Sequence, residues 1–204
     1  MKPHAISIVR TLREAGFQAY FVGGCVRDLI LGCEPADYDV STNATPQQVM
    51  SIFPETYAVG AQFGVVLVPH PQGGRDDSRV VEVATFRSDL AYTDGRHPEG
   101  VQFESSPQAD ALRRDFTINA LFRDPFSGEV HDFTGGRADL SAQLIRTVGD
   151  PERRFAEDHL RLLRAVRFAA RLGFSIEPAT MRAMQWLAPT IQQVSAERDR
   201  KSVV

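Results

Sequence analysis

The sequence of 204 residues has few cysteines and no long apolar run, and these absences exclude several classes of protein. The two cysteines, Cys25 and Cys33, are too far apart for a CxxC pair and have no histidine cluster nearby, so neither zinc nor a disulfide framework is indicated. No stretch of about 18 apolar residues predicts a membrane span, and scattered charges near the N-terminus argue against a signal peptide. We therefore expect a protein of the reducing cytoplasm that does not bind a membrane.

Positive charge is also scarce, because 26 acidic residues outnumber 23 lysines and arginines and give a formal net charge of -3. We therefore do not expect a surface that is positively charged overall and binds nucleic acid through that charge. The arginines are nevertheless clustered, at Arg113 and Arg114 and again between Arg153 and Arg171. Such clusters favour anionic ligands that bind at particular places.

The hydrophobic pattern predicts a mixed α/β part followed by a helical part. Strands are expected over AYFVGG, DYDVST, FGVVLV, RVVEVATF and EVHDF. Helices are expected over residues 3–15, VRDLILG, TPQQVMSIF with Thr45 as N-cap, ADALRRDFTINALF, part of GGRADLSAQ, PERRFAEDHLRLLRAVRFAARLGF and EPATMRAMQWLAPTIQQV.

A break at Gly149, Asp150 and Pro151 divides these two parts. We predict a mixed α/β part over residues 1–150, with a long polar loop at about 87–106, and a helical part over 151–198. The last six residues, DRKSVV, match a translated sequencing adapter, so residues 199–204 are expected to be a non-native tail after a reading frame cut near Arg198.

Asp37 and Asp39 form a DxD pair in DYDVST. Residues two apart in a strand point to the same face, so the two carboxylates are expected side by side. Mg²⁺ suits such a pair, because it takes one or two carboxylates and leaves its other positions to water and substrate phosphates. A solvent-facing strand is the commoner explanation of a bare DxD. An EF-hand is excluded, because Thr42 and Gln48 stand where its loop needs glycine and glutamate.

Glu82 is a third carboxylate, on the strand predicted from the alternation in RVVEVATF. That alternation places Glu82, Ala84 and Phe86 on one face. Beside the small Ala84, Glu82 can complete a site for two metals, one that activates a hydroxyl and one that holds a triphosphate. An ordinary exposed strand glutamate is the alternative.

Gly23 and Gly24 lie where a predicted strand gives way to a helix. Bare backbone N–H groups at such a turn can face a phosphate, with Arg27 one turn later as a counter-charge. Neither GxxxxGK[ST] nor GxGxxG is present, and a lone GG is more often a plain tight turn. About a dozen residues separate this turn from the DxD pair, and phosphoryl or nucleotidyl transfer needs that combination.

Two arginine-bearing helices supply further candidates. In RRDFTINALF, Arg114 and Asp115 are candidates for nucleotide contacts, and Asn119 lies one turn after Asp115 and can brace it. The alternative is ordinary helix-surface charge.

In EDHLRLLRAVRF, Asp158 and Arg161 stand three apart, so a helix would make them neighbours that match the Watson–Crick edge of a base. Arg164, Arg167 and Arg171 fall within an arc of roughly 60°. A solvated helix face laced by Asp–Arg pairs is the alternative.

These motifs, in this order, resemble those of the class II tRNA nucleotidyltransferase and bacterial poly(A) polymerase family, over about residues 17–198. GGCVRD with DYD is similar to its first motif, RRDFTINAL to the second, HDFTGGRADL to the third, EDHLRLLRAVRF to the fourth, and VSAER to the start of the fifth. The resemblance implies a DNA polymerase β-like nucleotidyltransferase head with a mixed sheet, followed by the start of an all-helical neck.

The resemblance also implies roles for particular residues. It implies phosphate contacts at Gly24 and Arg27, metal ligation by Asp37 and Asp39, and ribose and phosphate contacts from Arg114 and Asp115. It implies that Asp158 and Arg161 act as a protein template for the incoming base, and that Arg164 and Arg167 line the nucleotide pocket. Asp132 and the glycine pair after it are expected to be structural.

The implied activity is addition of CCA to the 3′ end of tRNA, with CTP and ATP as substrates, Mg²⁺ as cofactor and no protein partner. TFRSDLAYTDGRHPEGVQF resembles the flexible loop of CCA-adding enzymes, which favours this product. A poly(A) polymerase or an A-adding tRNA nucleotidyltransferase is the enzymatic alternative. An inactive nucleotide- or RNA-binding fragment is the other.

Overall fold

The computed structural model describes residues 1–70, 80–90 and 99–193. Six strands of this part form one mixed sheet: β1 Ala19–Val22, β2 Asp39–Thr42, β3 Val65–Pro69, β4 Val80–Thr85, β7 Leu121–Arg123 and β8 Val130–Asp132. The other four form two short ribbons: β5 Arg87–Asp89 with β6 Val101–Phe103, and β9 Leu144–Ile145 with β10 Ser175–Ile176. In the large sheet the order is β3-β4-β2-β1-β7-β8. The pair β2–β4 is parallel and the remaining neighbours are antiparallel.

The helices of the described part are α1 Lys2–Glu14, α2 Gly24–Ile30, α3 Pro46–Ile52, α4 Pro107–Leu112, α5 Gly136–Ser141, α6 Pro151–Glu157, α7 Leu160–Leu172 and α8 Pro178–Leu187. Three short 3₁₀ helices occupy Ala61–Phe63, Thr117–Asn119 and Ala188–Gln193. None of these helices is long and apolar enough to cross a bilayer.

The predicted first helix is confirmed, and its packing follows from its spacing. Ala5, Ile8, Val9 and Leu12 recur at helical intervals, and all four are buried where α1 contacts β1 and β2. Full burial of a side chain the size of Ile8 or Leu12 contributes about 1.5–3 kcal/mol. The main core runs from this helix through the sheet to α7 and α8.

The predicted start of α3 is also confirmed. Thr45 Oγ1 accepts from the N–H of Gln48, and Gln48 Oε1 accepts from the N–H of Thr45, so the pair satisfies two backbone donors at the helix start. Pro46 occupies the first helical position, where no backbone donor is needed.

The prediction of a strand over DYDVST is wrong at its start. β2 begins at Asp39, so Asp37 lies before the strand and the two-residue alternation does not relate the two side chains. The prediction that Glu82, Ala84 and Phe86 share one strand face is also wrong at its end. β4 ends at Thr85, and Phe86 lies after the strand in a smaller buried cluster.

The long loop predicted at about 87–106 is partly wrong. Its two ends pair as the ribbon of β5 and β6, with Arg87 opposite Phe103 and Asp89 opposite Val101. Residues 91–98 of that prediction lie outside the described part of the chain.

The helix predicted over ADALRRDFTINALF is wrong after Leu112. The Asp115 carboxylate accepts from the N–H of Phe116 at 2.7 Å, and the N–H of Thr117 donates to the carbonyl of Arg146, so these donors bond outside a helical ladder. The short 3₁₀ helix Thr117–Asn119 comes next, and β7 after it pairs with β1. Tertiary strand pairing therefore overrides the helical pattern.

The sequence from Pro151 to Phe174 was predicted as one helix, but the structure has two helices there, α6 and α7. Asp158 has extended backbone, with φ -147° and ψ 103°, and its side chain accepts from the N–H of Leu160 at the start of α7. A second exception to the helical prediction is β10, which pairs in parallel with β9. The division of the chain near residue 150 stays a prediction, and the tail predicted at 199–204 lies outside the described residues.

Candidate active site

The first element of the site is a tight turn after β1 that only glycine adopts readily. Gly23 has φ 75° and ψ -133°, and its N–H donates to the carbonyl of Leu121 at 3.2 Å. A Cβ atom at this position would lie 3.4 Å from Nη1 of Arg114. Arg114 therefore lies in van der Waals reach of the turn, and the positive φ is what favours glycine there.

Arg27 lies in α2, directly after this turn, and is only 4% exposed. Its Nη1 donates to Oδ1 of Asn119 at 2.8 Å, and its Nη2 lies 2.7 Å from the carboxylate of Asp28. The guanidinium also lies over the ring of Phe168. These contacts hold the Arg27 side chain in place beside the glycine turn. Asp28 offsets its positive charge.

The two aspartates of the DxD pair do come together, although not by strand alternation. Asp39 lies opposite Val22, the residue before the glycine turn. Asp37 and Asp39 both line a cavity of about 290 Å³ whose wall also includes Gly23 and Gly24. We call this the acidic cavity.

The carboxylate of Asp39 lies where its negative charge is disfavoured. Burial, and after it the nearby carboxylate of Glu82, raises the pKa of Asp39 to about 6, with Arg114 opposing the rise and Asp37 adding to it. Glu82 comes alongside because the parallel pairing of β2 with β4 sets Val40 against Val83. Glu82 itself is exposed and is not among the residues that line the acidic cavity.

This donor set suits a divalent cation that shares its coordination with a substrate. A cation between Asp37 and Asp39 would offset the negative charge that burial, and after it the neighbouring carboxylates, disfavours at Asp39. Within residues 1–70, 80–90 and 99–193, no three Asp, Glu, His or Cys side chains group closely enough to hold a metal ion. Mg²⁺ does not need such a cage, because water and substrate phosphates fill its other positions.

The turn after α4 supplies the cationic side of the acidic cavity. Arg114 lines that cavity, and its guanidinium pairs with Asp110 at 2.8 Å and lies over the ring of Phe122. Asp110 is fully buried and also pairs with Arg113 at 2.6 Å. Asp110 was not among the residues predicted from sequence, although its spacing of three and four residues from two arginines was a usable signal.

Asp115 connects this turn to α7. Its Oδ2 accepts from Nε of Arg164 at 2.8 Å, and its Oδ1 accepts from Nδ2 of Asn119 at 3.4 Å. Burial would raise the pKa of Asp115, but Arg164 and these hydrogen bonds hold it below its ordinary value. The bracing of Asp115 by Asn119 expected from the sequence is therefore present, within a turn and a 3₁₀ helix.

A second cavity, of about 570 Å³, adjoins the first and is lined by Asp158 and Arg161. We call it the arginine cavity. It shares three lining residues with the acidic cavity: Arg114, Asp115 and Arg164.

Asp158 and Arg161 are brought together by a helix break. The sequence predicted that a spacing of three within one helix would make them neighbours. That explanation is wrong, because Asp158 lies before the start of α7. Arg161 is 6% exposed and donates from Nη1 to the carbonyl of Arg154 at 2.8 Å and to Glu157 at 2.9 Å. Burial raises the pKa of Asp158, and Arg161 opposes that rise.

Arg167, like Glu82, is a predicted site residue that lines neither cavity. Its guanidinium lies 5.2 Å from the centre of the Phe168 ring. Burial, and after it the nearby charge of Arg164, lowers the pKa of Arg167. Arg171, which was noted only as part of an arc, does line the acidic cavity.

Comparison with known families gives two matches along the chain. The family described as Poly A polymerase head domain matches residues 19–146, and the one described as Probable RNA and SrmB- binding site of polymerase A matches residues 173–201.

CCA-adding enzymes are among the proteins that this chain resembles in sequence and in structure. The CCA-adding enzyme of Bacillus pumilus is 46% identical over 197 residues, which cover 97% of this chain and 48% of the relative. The crystal structure of the Bacillus stearothermophilus CCA-adding enzyme in complex with CTP superposes with a TM-score of 0.86 at 42% identity, over 98% of this chain and 47% of that chain. The Thermotoga maritima CCA-adding enzyme complexed with tRNA_CCA has a TM-score of 0.75 at 26% identity, over 97% and 45%.

The chain thus spans about half the length of the curated relatives it matches, with 48% of the first of them covered. The match over residues 19–146 contains the sheet, the glycine turn, the aspartate pair and the turn of Arg114. The expected fold, a polymerase β-like nucleotidyltransferase head with a mixed sheet, is confirmed. The chain belongs to the Poly A polymerase head domain family and is similar along almost its whole length to CCA-adding enzymes.

Proposed function

We propose that this chain contains the catalytic and nucleotide-selecting part of an enzyme that adds CCA to the 3′ end of tRNA, using CTP and ATP. The observation that carries the proposal is that the acidic cavity and the arginine cavity adjoin and share Arg114, Asp115 and Arg164. A nucleoside triphosphate that spans both would place its phosphates near Asp37 and Asp39 and its base near Asp158. The names of the similar relatives support this choice of product.

In the reaction, the 3′-hydroxyl of the RNA attacks the α-phosphorus of the bound triphosphate, and pyrophosphate leaves without a covalent enzyme intermediate. Asp37 and Asp39, with Glu82 beside Asp39, would hold Mg²⁺, which when bound activates a hydroxyl and neutralises phosphate charge. The backbone N–H of Gly24 would donate to a phosphate oxygen. Gly23 would contribute through the shape of its turn, because its own N–H already donates to Leu121.

The cationic residues orient the rest of the nucleotide. Arg114 stands between the two cavities and would contact a phosphate or the ribose, with Asp115 and Asn119 beside it. Arg27 and Arg164 set the position of their neighbours through Asn119 and Asp115. These contacts hold the triphosphate in line with the attacking hydroxyl, which is the main contribution of protein to this kind of transfer.

Selection of the base follows from the donors and acceptors of Asp158 and Arg161. Cytosine and adenine both carry an exocyclic amino donor next to a ring nitrogen acceptor, whereas guanine and uracil carry a carbonyl oxygen in the corresponding place. A carboxylate accepts from the amino group and a guanidinium donates to the ring nitrogen. Asp158 and Arg161 therefore suit CTP and ATP and disfavour GTP and UTP, with Arg164 and Arg167 adding positive charge on α7.

A poly(A) polymerase is the second candidate, and the description of the matching family favours it. Such an enzyme would extend unrelated RNA with many A residues and would ignore CTP. A nucleotide-binding fragment without activity would bind CTP and ATP and transfer neither.

One assay separates these functions: Mg²⁺-dependent incorporation of labelled CTP and ATP into tRNA that lacks its 3′ CCA. We expect both nucleotides to be added, and Asp39→Ala to lower the rate by about a hundredfold or more, because one of two carboxylates for the cation is lost. Asp158→Ala should reduce the preference for CTP and ATP over GTP and UTP. Asp124→Asn is the control, since Asp124 pairs with Arg13 away from both cavities. Full incorporation by Asp39→Ala would contradict the metal assignment.

A further inference from the structure

Asp110 is a buried carboxylate that divides its two oxygens between two neighbouring arginines. The residue is 0% exposed on α4. Oδ1 accepts from Nε of Arg113 at 2.8 Å, and Oδ2 accepts from Nε and Nη2 of Arg114 at 3.2 and 2.8 Å. One anion therefore holds the guanidinium of Arg114 through two of its three nitrogens.

The remaining nitrogen of Arg114 points toward the candidate site. Nη1 lies 3.5 Å from the carbonyl oxygen of Asn119 and 3.4 Å from where a Cβ atom on Gly23 would stand. The ring of Phe122 supports the guanidinium from one face, at 5.4 Å. Asp110, Phe122 and the carbonyl of Asn119 together contact all three nitrogens and one face of the Arg114 guanidinium.

The backbone of this turn is held by contacts other than those of Asp110. Arg154, from α6, donates to the carbonyls of Arg113 and Arg114 and pairs with Glu157. The backbone that carries Arg114 is thus held by a separate buried arginine. The contacts of Asp110 act on the two guanidinium groups themselves.

We propose that Asp110 is a positioning residue that holds Arg114 aimed into the acidic cavity before a nucleotide binds. The inference rests on the proposed function, because it assigns Arg114 to the triphosphate or ribose. An unrestrained arginine loses much rotamer freedom on binding, and a pair that is already formed removes that cost.

The ionised form of Asp110 is the relevant one at neutral pH. Burial would raise the pKa of this carboxyl, but Arg114 and Arg113 together hold it below its ordinary value.

Two effects of Asp110 oppose one another. Its negative charge partly cancels the attraction of Arg114 for phosphate, so charge alone predicts tighter nucleotide binding when Asp110 is neutralised. Orientation predicts the reverse, because an asparagine would offer one acceptor and would turn its NH₂ group toward arginine donors. The sign of the change therefore distinguishes the two effects.

The test is a double-mutant cycle on the 204-residue chain, with the Kd for CTP and for ATP measured by calorimetry in the presence of Mg²⁺. We expect Asp110→Asn to raise the Kd for CTP and the Kd for ATP by about tenfold each, so that the ratio of the two Kd values does not change. Combined with Arg114→Ala, it should add nothing further, because Asp110 acts through Arg114. The control is Asp124→Asn, which removes another Asp–Arg pair and should leave both Kd values unchanged. Unchanged or tighter binding by Asp110→Asn, or an effect additive to Arg114→Ala, overturns the inference.

A measurement on the unsubstituted chain keeps the inference testable if Asp110→Asn does not fold. The side-chain Nε–H signal of Arg114, assigned by its loss in Arg114→Ala, should show slow exchange and restricted motion in NMR without nucleotide. A mobile, rapidly exchanging Arg114 overturns the positioning role. Failure of the chain to bind CTP or ATP would instead contradict the proposed function, whereas this signal reports on Asp110 in either case.

Discussion

Besides Arg114, which pairs with Asp110, three arginines of the candidate site, Arg27, Arg161 and Arg164, have carboxylate partners within the chain. The partners are Asp28, Glu157 and Asp115, at 2.7, 2.9 and 2.6 Å. Paired in this way, a buried guanidinium keeps its charge without the full desolvation penalty of an isolated ion. The pairs therefore fix the geometry of the cavities, and part of the positive charge that the sequence suggests for phosphate is already used in the fold.

The pairing of Asp115 predicts a pH dependence of stability. Its pKa is below the ordinary 3.8 in the folded chain, because Arg164 and hydrogen bonds outweigh burial. The unfolded chain takes up this proton first as pH falls, so the stabilisation present above about pH 4 is lost progressively below it. We expect Asp115→Asn to be less stable than the parent chain at neutral pH and to lose less stability between about pH 5 and 3. Urea unfolding at several pH values measures both, and parallel pH profiles would contradict the prediction.

The two cysteines predict a simple difference in reactivity. The thiol of Cys25 is 3% exposed, and burial raises its pKa to about 11, whereas Cys33 is exposed. Because the thiolate is the reactive form, iodoacetamide at about pH 8 should label Cys33 alone in the folded chain and both cysteines after unfolding. Mass spectrometry counts the labels, with Cys33→Ser as the control that should take none when folded. Rapid labelling of Cys25 in the folded chain would be the contrary result.

At the scale of elements, the α5 helix is fixed to the turn of the site through a glycine. The backbone of Gly136 approaches Thr117 so closely that a Cβ atom would stand 2.2 Å from its carbonyl oxygen. Thr117 cannot retreat easily, because its N–H donates to Arg146 and its hydroxyl donates to Asp139 at 2.7 Å. Asp132 caps the start of α5 by accepting from four backbone N–H groups, so the structural role expected for this motif has a physical basis.

This close approach predicts that Gly136→Ala costs about 3–5 kcal/mol of unfolding free energy, through overpacking against backbone. Gly16→Ala is the matched comparison, because Gly16 has φ +88° and nothing within 4 Å of an added Cβ. That substitution should cost only about 1–2 kcal/mol, from the left-handed backbone. Chemical denaturation of the two variants measures the difference, and equal losses would show that the clash relaxes.

Elements with local causes were predictable from sequence, whereas a turn whose backbone bonds to a distant segment was not. The helix from Lys2 to Glu14 and the capped start of α3 follow from spacing and from Thr45 with Gln48. The turn of Arg114 to Phe116 was assigned to a helix because its composition favours one, but its backbone bonds to a distant segment: Val148 donates to the carbonyl of Asp115, and the next residue, Thr117, donates to Arg146.

At the scale of the whole molecule, the helical part packs against the sheet part with the candidate site between them. Phe116 and Phe168 contact edge to face at 5.7 Å, and Arg164 of α7 pairs with Asp115. Both cavities depend on this contact, because each has lining residues from α7 as well as from the turn after α4.

A ligand that bridges the two parts should therefore stabilise the fold as a whole. At a concentration of about 100 times Kd, a nucleotide adds about 2.7 kcal/mol, which raises the Tm of a chain of this size by about 5–10 °C. We expect this shift with CTP or ATP and Mg²⁺, and little shift with GTP at the same concentration. Scanning fluorimetry measures it, and Asp158→Ala should reduce the difference between nucleotides. Equal shifts with all four triphosphates would contradict base selection at Asp158.

The sequence by itself determined the family motifs, the helix and strand content of the first 60 or so residues, and some of the charged residues that line the cavities, such as Asp39 and Arg114, but not Asp28, Arg87 or Asp89. These depend on local spacing, capping and residue type, which a single chain segment specifies. Only the tertiary structure decided that Asp37 reaches the cavity from outside a strand, that Asp158 meets Arg161 across a helix break, and that Arg164 pairs with Asp115. Each of these depends on groups distant in sequence or on a broken element, because the backbone donors and buried charges had to find partners wherever the packed fold offered them.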